Sequence, residues 1–248
     1  MPELSGLSDL AGLRAAVDAY RTPEPAGDGS WLPEPWDRLL GPAVRAGAVV
    51  SVRGKRAGLS AALALLAAVI PAGGWCGVVG VPGLGIAAAA GLGVPADRLV
   101  LVPRPGAAWE QVCGTLLPAV SALLVHVPGS VPPRVAARVA AKARAARCTL
   151  ITVGTAWPGS ASLAVTGAHW YGPASGQGRL THRRVKIVRD AGGRSDSWLV
   201  LLPDRHGHLT TTLDDPRTQH RPVAPPPPSP APGEPVERED GGAGERSA

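Results

Sequence analysis

Apolar residues near the start of this chain recur at helical spacing. Four of them, spaced by three or four residues, are Leu10, Leu13, Val17 and Tyr20. This spacing places them on one face of a helix, and Ser8 can cap its first turn. We therefore expect residues 8–20 to form an amphipathic helix, which would pack on the core or on a partner.

Five short apolar runs follow, and helical segments alternate with them. The runs are residues 48–52, 75–79, 99–103, 122–127 and 149–153. The helices predicted between them include residues 59–70, 108–117 and 134–147. Such alternation is typical of an α/β fold in which crossover helices link a mostly parallel sheet.

The pattern changes again from residue 179 onward, where apolar and polar residues roughly alternate. Residues 179–189 and 198–202 flank a turn at Gly192 and Gly193. Two alternating strands joined by a turn predict an antiparallel hairpin at the edge of the sheet.

The end of the chain differs in composition from the rest. Residues 222–248 are dominated by proline, charge and glycine, and we expect them to be a disordered tail. The expected organisation is therefore an N-terminal helix and connector over residues 1–31, one core over residues 32–221, and the tail.

Charge is unevenly distributed over the 248 residues. The net charge is +6, but residues 222–248 hold five acids against two arginines, which leaves +9 for the part before them. A basic body favours nucleic-acid binding, although a solvated arginine-rich surface has the same composition. The densest basic cluster, a candidate contact for nucleic acid or a partner, is Arg179, Arg183, Arg184, Lys186 and Arg189.

Cysteine spacing and hydropathy argue against several other classes of protein. Cys76, Cys113 and Cys148 form no CxxC pair, so we expect buried thiols in a reducing compartment rather than a metal site or disulfides. Residues 57–96 carry no charge, but prolines and glycines divide them into pieces of about 12 residues, too short to span a membrane. With no signal-peptide pattern at the start, we expect a cytoplasmic protein.

A glycine loop joins the first apolar run to the helix after it. The loop and the start of the helix comprise Arg53, Gly54, Lys55, Arg56, Gly58, Leu59 and Ser60. A phosphate-binding loop reads GxxxxGK[ST], and its lysine contacts the β and γ phosphates. Aligned on Gly58 and Ser60, this chain has Arg53 in place of the first glycine and Leu59 in place of the lysine. Leucine supplies no cation, so most of the rate of phosphoryl transfer should be lost.

In order and spacing, residues 32–210 resemble RecA, and most closely the ImuA-type RecA-like accessory proteins of actinobacteria. Besides the glycine loop, the segments that carry the resemblance are residues 36–41, 76–79, 92–99 and 122–126. The resemblance implies a RecA-like P-loop core with two further losses. Pro82 occupies the position of the acid that activates water, and His126 that of the Walker B aspartate that helps hold magnesium. With Leu59, these changes predict a protein that is inactive as an ATPase and needs no metal or cofactor, although ATP binding stays open.

The same resemblance implies a role in the SOS response to DNA damage. It predicts a non-catalytic adaptor that supports error-prone translesion synthesis, and hence mutagenesis. The implied partners are the Y-family-like ImuB protein, an error-prone C-family polymerase and, as a further candidate, RecA. DNA would face residues 128–133 and 155–178, of which we expect Trp170 to lie in the core and leave Trp157 open.

Two rival functions stay open at this point. One is an unconventional nucleotide hydrolase that uses Lys55, Ser60 and an acid such as Glu110. The other is a RecA-like regulator that binds nucleotide without hydrolysing it, because loop amides and a helix N-terminus can hold phosphate without a lysine.

Overall fold

The computed structural model of the chain describes residues 32, 36–40, 44–54, 57–127, 129–154, 157–158, 160–172, 180–191, 194–204 and 209–211. Some features expected from the sequence lie outside the described residues: the helix over residues 8–20, Lys55, Arg56, Arg179, the turn at residues 192–193 and the tail over residues 222–248.

Helices and strands alternate along the first two thirds of the described chain. The helices are α1 (Trp36–Leu40), α2 (Gly58–Val69), α3 (Ile86–Gly91), α4 (Trp109–Leu116) and α5 (Pro133–Ala145). The strands are β1 (Val49–Arg53), β2 (Cys76–Val79), β3 (Leu99–Val102), β4 (Ala122–His126), β5 (Thr149–Val153), β6 (Ala161–Tyr171), β7 (His182–Ala191), β8 (Arg194–Leu201) and β9 (Thr210–Thr211).

The strands form one sheet in the order β3-β2-β4-β5-β1-β6-β7-β8-β9. From β3 to β6 neighbouring strands are parallel, and from β6 to β9 they are antiparallel. The predicted α/β fold, with a mostly parallel sheet, crossover helices and an antiparallel hairpin towards its edge, is confirmed.

Helices cover both faces of the parallel part of the sheet. Leu124 of β4 belongs to an apolar cluster that contains the buried face of α2. Its neighbours Leu123 and Val125 belong to a second cluster, formed with α4 and α5. Because successive strand residues point to opposite faces, α2 lies on one side of the sheet and α4 and α5 lie on the other.

Two stretches differ from the expectations. Residues 155–178 were expected to form a loop facing DNA, but β6 occupies residues 161–171 of that stretch. A shift in register between Val165 and Gly167 interrupts the alternation that would have indicated a strand. No helix was predicted over residues 36–40, but α1 lies there, and its first residue, Trp36, is buried in the core.

The cysteines are buried thiols, as expected. Burial raises the pKa of Cys76 and of Cys113 to about 12, and it also raises the pKa of Cys148. These thiols are therefore protonated and unreactive at neutral pH. No helix among the described residues is long and apolar enough to cross a membrane.

Candidate functional site

The glycine loop lies at the carboxyl edge of the parallel sheet. β1 ends at Arg53, and Gly54 follows it. Gly80 follows β2, His126 ends β4, and Gly154 follows β5. The carboxyl ends of parallel strands meet at one edge of a sheet, and α/β proteins bind ligands at that edge. The predicted loop therefore lies where this fold class places its ligand.

Packing against β6 explains why a glycine follows β1. The backbone φ of Gly54 is +148°, and a Cβ added there would lie 2.7 Å from Val165 Cβ and 2.8 Å from Val165 O. A side chain at this position would collide with β6 whether or not the loop holds a phosphate. Gly58, by contrast, has room, because a Cβ would lie 3.5 Å from the Arg53 carbonyl carbon.

The residue in the lysine position faces the protein interior. Leu59 is half-buried and packs against the apolar cluster that surrounds α2. The first turn of α2 has no acidic residue and no side-chain cap, and its third residue is a half-buried serine, Ser60. This turn offers backbone amides to a ligand and no charged side chain.

An imidazole occupies the strand end that the resemblance assigns to the Walker B aspartate. His126 Nδ1 lies 3.2 Å from the carbonyl oxygen of Gly80, so Nδ1 carries a proton and donates it to that carbonyl. A Cβ on Gly154 would lie 3.4 Å from His126 Cδ2, and a Cβ on Gly80 would overlap the His126 carbonyl oxygen. Two glycine turns therefore adjoin this imidazole, which is a nitrogen ligand rather than the oxygen ligand that Mg²⁺ prefers.

Of the two positions considered for a catalytic acid, one holds a proline and the other holds a glutamate that is paired elsewhere. Pro82 lies exposed in the turn after β2. On α4, Glu110 accepts a hydrogen bond of 2.6 Å from Arg138 Nε of α5, and this contact lowers the pKa of Glu110. Since α4 and α5 cover the face of the sheet opposite α2, Glu110 serves an interhelical ion pair.

A buried hydroxyl network beneath this edge has no signal in the sequence. Ser51 of β1 is fully buried, and its Oγ lies 2.6 Å from Ser160 Oγ. The same oxygen accepts hydrogen bonds from Thr152 Oγ1 at 3.0 Å and from the Trp157 amide at 3.1 Å. Ser51 thereby ties the chain after β5 to β1. Trp157, left open by the sequence, is 4% exposed and meets Trp109 edge-on, with ring centroids 6.2 Å apart.

The basic cluster predicted in the hairpin does not form one surface. Arg183 is buried, its Nε donates to the Leu202 carbonyl at 2.7 Å, and burial lowers the pKa of its guanidinium. Arg189 forms a 2.7 Å ion pair with Asp196. Strand alternation places both on the inward side of β7, apart from Arg184 and Lys186. Binding of nucleic acid or a partner by the cluster stays a prediction.

Trp170 also departs from the expectation. It was expected in the core but is 41% exposed, because it lies near the end of β6, where the strand leaves the packed part of the sheet. The guanidinium carbon of Arg183 lies 4.9 Å from the centre of the Trp170 ring. The tryptophan covers this buried arginine and also contacts solvent.

The opposite side of β6 and β7 gathers rings and cations from residues that are distant in sequence. We call it the ring-and-cation face, and its members are His169, Tyr171, His182, Arg184 and Lys186. Register pairs His169 with Arg184 and Tyr171 with His182 across the two strands, and pairs Lys186 with Gly167 on the same side. Sequence reasoning singled out Arg184 and Lys186, and it placed His169 and Tyr171 in a stretch expected to face DNA. It assigned that stretch to a loop, however, and so could not pair these rings with β7.

One family model matches the part of the chain that contains the carboxyl edge of the parallel sheet. Residues 38–159 match the MT3502 N-terminal domain. The matched region contains the glycine loop, Pro82, His126 and Gly154, and it ends before β6 begins. The ring-and-cation face therefore lies beyond it.

One curated relative and one solved structure are similar to the chain. The uncharacterised protein Rv3395c of Mycobacterium tuberculosis is 33% identical over 134 residues, which are 50% of this chain and 66% of that protein. The crystal structure of the RadB recombinase has a TM-score of 0.48 and 14% identity, over 71% of this chain and 96% of the RadB chain.

Proposed function

We propose that this protein is a non-catalytic, RecA-like adaptor in the DNA-damage response that supports error-prone translesion DNA synthesis. One observation carries the non-catalytic part. At the edge where the fold would bind nucleotide, Leu59 packs into the core and His126 is bonded to the Gly80 carbonyl.

Both features bear on the chemistry of phosphoryl transfer. Its catalysis consists almost wholly of positioning and charge stabilisation by a lysine and a metal ion. A half-buried leucine that packs against the core cannot stabilise the developing charge. An imidazole whose Nδ1 is engaged is a poor replacement for a magnesium-binding carboxylate. What persists at this edge is the framework of the sheet, which an adaptor can use as a scaffold.

The pathway part rests on the resemblance to ImuA-type accessory proteins, together with the match to the MT3502 N-terminal domain over residues 38–159. The proposed partners are an ImuB-type protein, an error-prone C-family polymerase and RecA, in the cytoplasm. The amphipathic segment over residues 8–20 and the tail over residues 222–248 are the proposed contact segments.

Binding of the full chain to a purified ImuB-type protein tests this proposal. We expect saturable binding by biolayer interferometry, weakened at least about tenfold by Leu13→Asp because a charge would interrupt the apolar face of the proposed contact helix. Ala15→Asp, which introduces the same charge on the opposite face of that helix, is the matched control and should bind like the unmodified chain. If the chain binds none of the three partners, and none co-purifies with it from damaged cells, the adaptor proposal is wrong.

The open amides of α2 favour a second candidate, a regulator that binds nucleotide without hydrolysing it. This helix begins at Gly58 without a side-chain cap, and such helix N-termini attract phosphate. Titration calorimetry with ADP distinguishes the two functions. Saturable heat from the unmodified chain that disappears in Ser60→Ala would support the nucleotide-binding regulator. If no heat is measured, the chain does not bind ADP, and the result favours an adaptor that works without nucleotide.

A further inference from the structure

The ring-and-cation face has no role in the adaptor proposal. In the described part of the chain, the helices on that side of the sheet, α4 and α5, pack mainly against β2, β4 and β5. The apolar cluster on that side includes no described residue after Trp157. Inward residues of β7 such as Val185 and Ile187 join the other cluster instead. These helices therefore do not cover the outward side of β6 and β7, on which His169 and Lys186 are exposed and Tyr171, His182 and Arg184 are half-buried.

The rings on this face are held in a fixed arrangement. Tyr171 and His182 stack in parallel, with centroids 4.8 Å apart and an angle of 2° between their planes. His169, which is exposed, meets Tyr171 edge-on at 4.8 Å. Thr181 Oγ1 lies 2.9 Å from His182 Nδ1 and fixes the outer ring of the stack. His182, the outer ring of the stack, is half-buried and so keeps part of its surface in contact with solvent.

Two cationic side chains, Arg184 and Lys186, lie on the same side of the sheet as these rings. The guanidinium carbon of Arg184 lies 5.3 Å from the centre of the Tyr171 ring. Its Nε is buried and has no hydrogen-bond partner among the described residues. Lys186, two residues further along β7, is exposed on the same side. Arg189, on the inward side of β7, is by contrast paired with Asp196.

We propose that the ring-and-cation face binds single-stranded nucleic acid, with bases stacked on the imidazole rings and phosphates held by Arg184 and Lys186. Ring faces stack on any unpaired base, and adjacent cations neutralise the backbone. A duplex keeps its bases stacked inside the helix, so its base faces cannot reach these rings. This binding surface is independent of the adaptor role, and either can fail without the other.

Fluorescence anisotropy with the full chain and a labelled oligodeoxythymidine of about 16 nucleotides tests the proposal. His182→Ala removes the outer ring and should weaken binding roughly 5- to 150-fold, the range measured for loss of one stacked base. His169→Ala, at an exposed position, should weaken binding in the same direction, and it serves as the second variant if His182→Ala does not fold. Lys186→Gln should lower the slope of log affinity against log salt by about 0.7.

Matched controls separate this surface from general attraction between a basic protein and an anion. Lys142→Gln removes an exposed charge from α5, and Trp170→Ala removes an exposed ring from the inward side of β6. Both should bind within about twofold of the unmodified chain. Folding of every variant is checked by thermal unfolding.

Several results would overturn the proposal. The first is that the chain does not bind the oligonucleotide. The second is that the control variants lose as much affinity as the variants of the face. The third is that a duplex of the same length binds as tightly and depends equally on His182. Displacement by poly-glutamate with unchanged affinity in the ring variants would also overturn it, because the face would then recognise acidic peptide.

Discussion

Gly54 and Gly58 flank the same loop but differ in what surrounds them. Gly54 has a φ of +148° and lies against Val165 of β6, whereas a Cβ at Gly58 makes an ordinary contact. We expect Gly54→Ala to lower the free energy of unfolding by about 2 kcal/mol or more, through backbone strain and collision with β6. Gly58→Ala should leave it unchanged or raise it by up to about 1 kcal/mol, because a helical glycine is replaced by a better helix former. Urea unfolding of both variants checks this, and equal losses would refute the packing explanation for Gly54.

At the same scale, the sequence predicted the positions of the site better than their surroundings. Leu59 and His126 could be placed by counting from the glycine loop and along an apolar strand, because these positions depend on local order. The contact of Gly54 with Val165 and the bond from Ser51 to Ser160 join residues more than 100 positions apart. No local pattern carries that information.

Among the elements, the β7–β8 hairpin depends on one buried arginine. Arg183 donates to the Leu202 carbonyl and lies under the Trp170 ring. We expect Arg183→Met, which keeps the aliphatic stem, to lower the free energy of unfolding by about 1.5–3 kcal/mol, the value of a hydrogen bond from a charged donor. Arg184→Met, the neighbouring substitution on the outward side, should cost about 0.5–1 kcal/mol through loss of a surface cation–π contact. Chemical denaturation compares the two, and a larger loss in Arg184→Met would contradict the assignment of the two faces.

The parallel strands were predicted more accurately than the antiparallel ones. The apolar runs over residues 122–127 and 149–153 match β4 and β5 to within one residue, because strands buried on both faces are continuously apolar. β6 is buried on one side only, contains glycine, histidine and tryptophan, and changes register in its middle. These features resemble a loop in sequence, and the strand can be recognised only from its pairing with β7.

For the whole molecule, the structure separates two regions that the sequence treated together. The carboxyl edge of the parallel sheet lies within the region matched by the MT3502 N-terminal domain, and the ring-and-cation face lies beyond it. We propose that the first serves as a scaffold without nucleotide chemistry and that the second binds single strands. A basic charge count alone could not distinguish these roles, because half of the predicted basic cluster's described members are buried or paired.

The central claim is that this α/β framework does not hydrolyse ATP, and phosphate release tests it most directly. Purified full-length chain is incubated with ATP and magnesium, with and without single-stranded DNA, beside the Lys55→Ala and Ser60→Ala variants. We predict that all three proteins release phosphate at the rate of the protein-free control, because Leu59 faces the core and His126 is bonded to Gly80. Turnover by the unmodified chain that disappears in both variants would contradict the claim and establish an unconventional hydrolase.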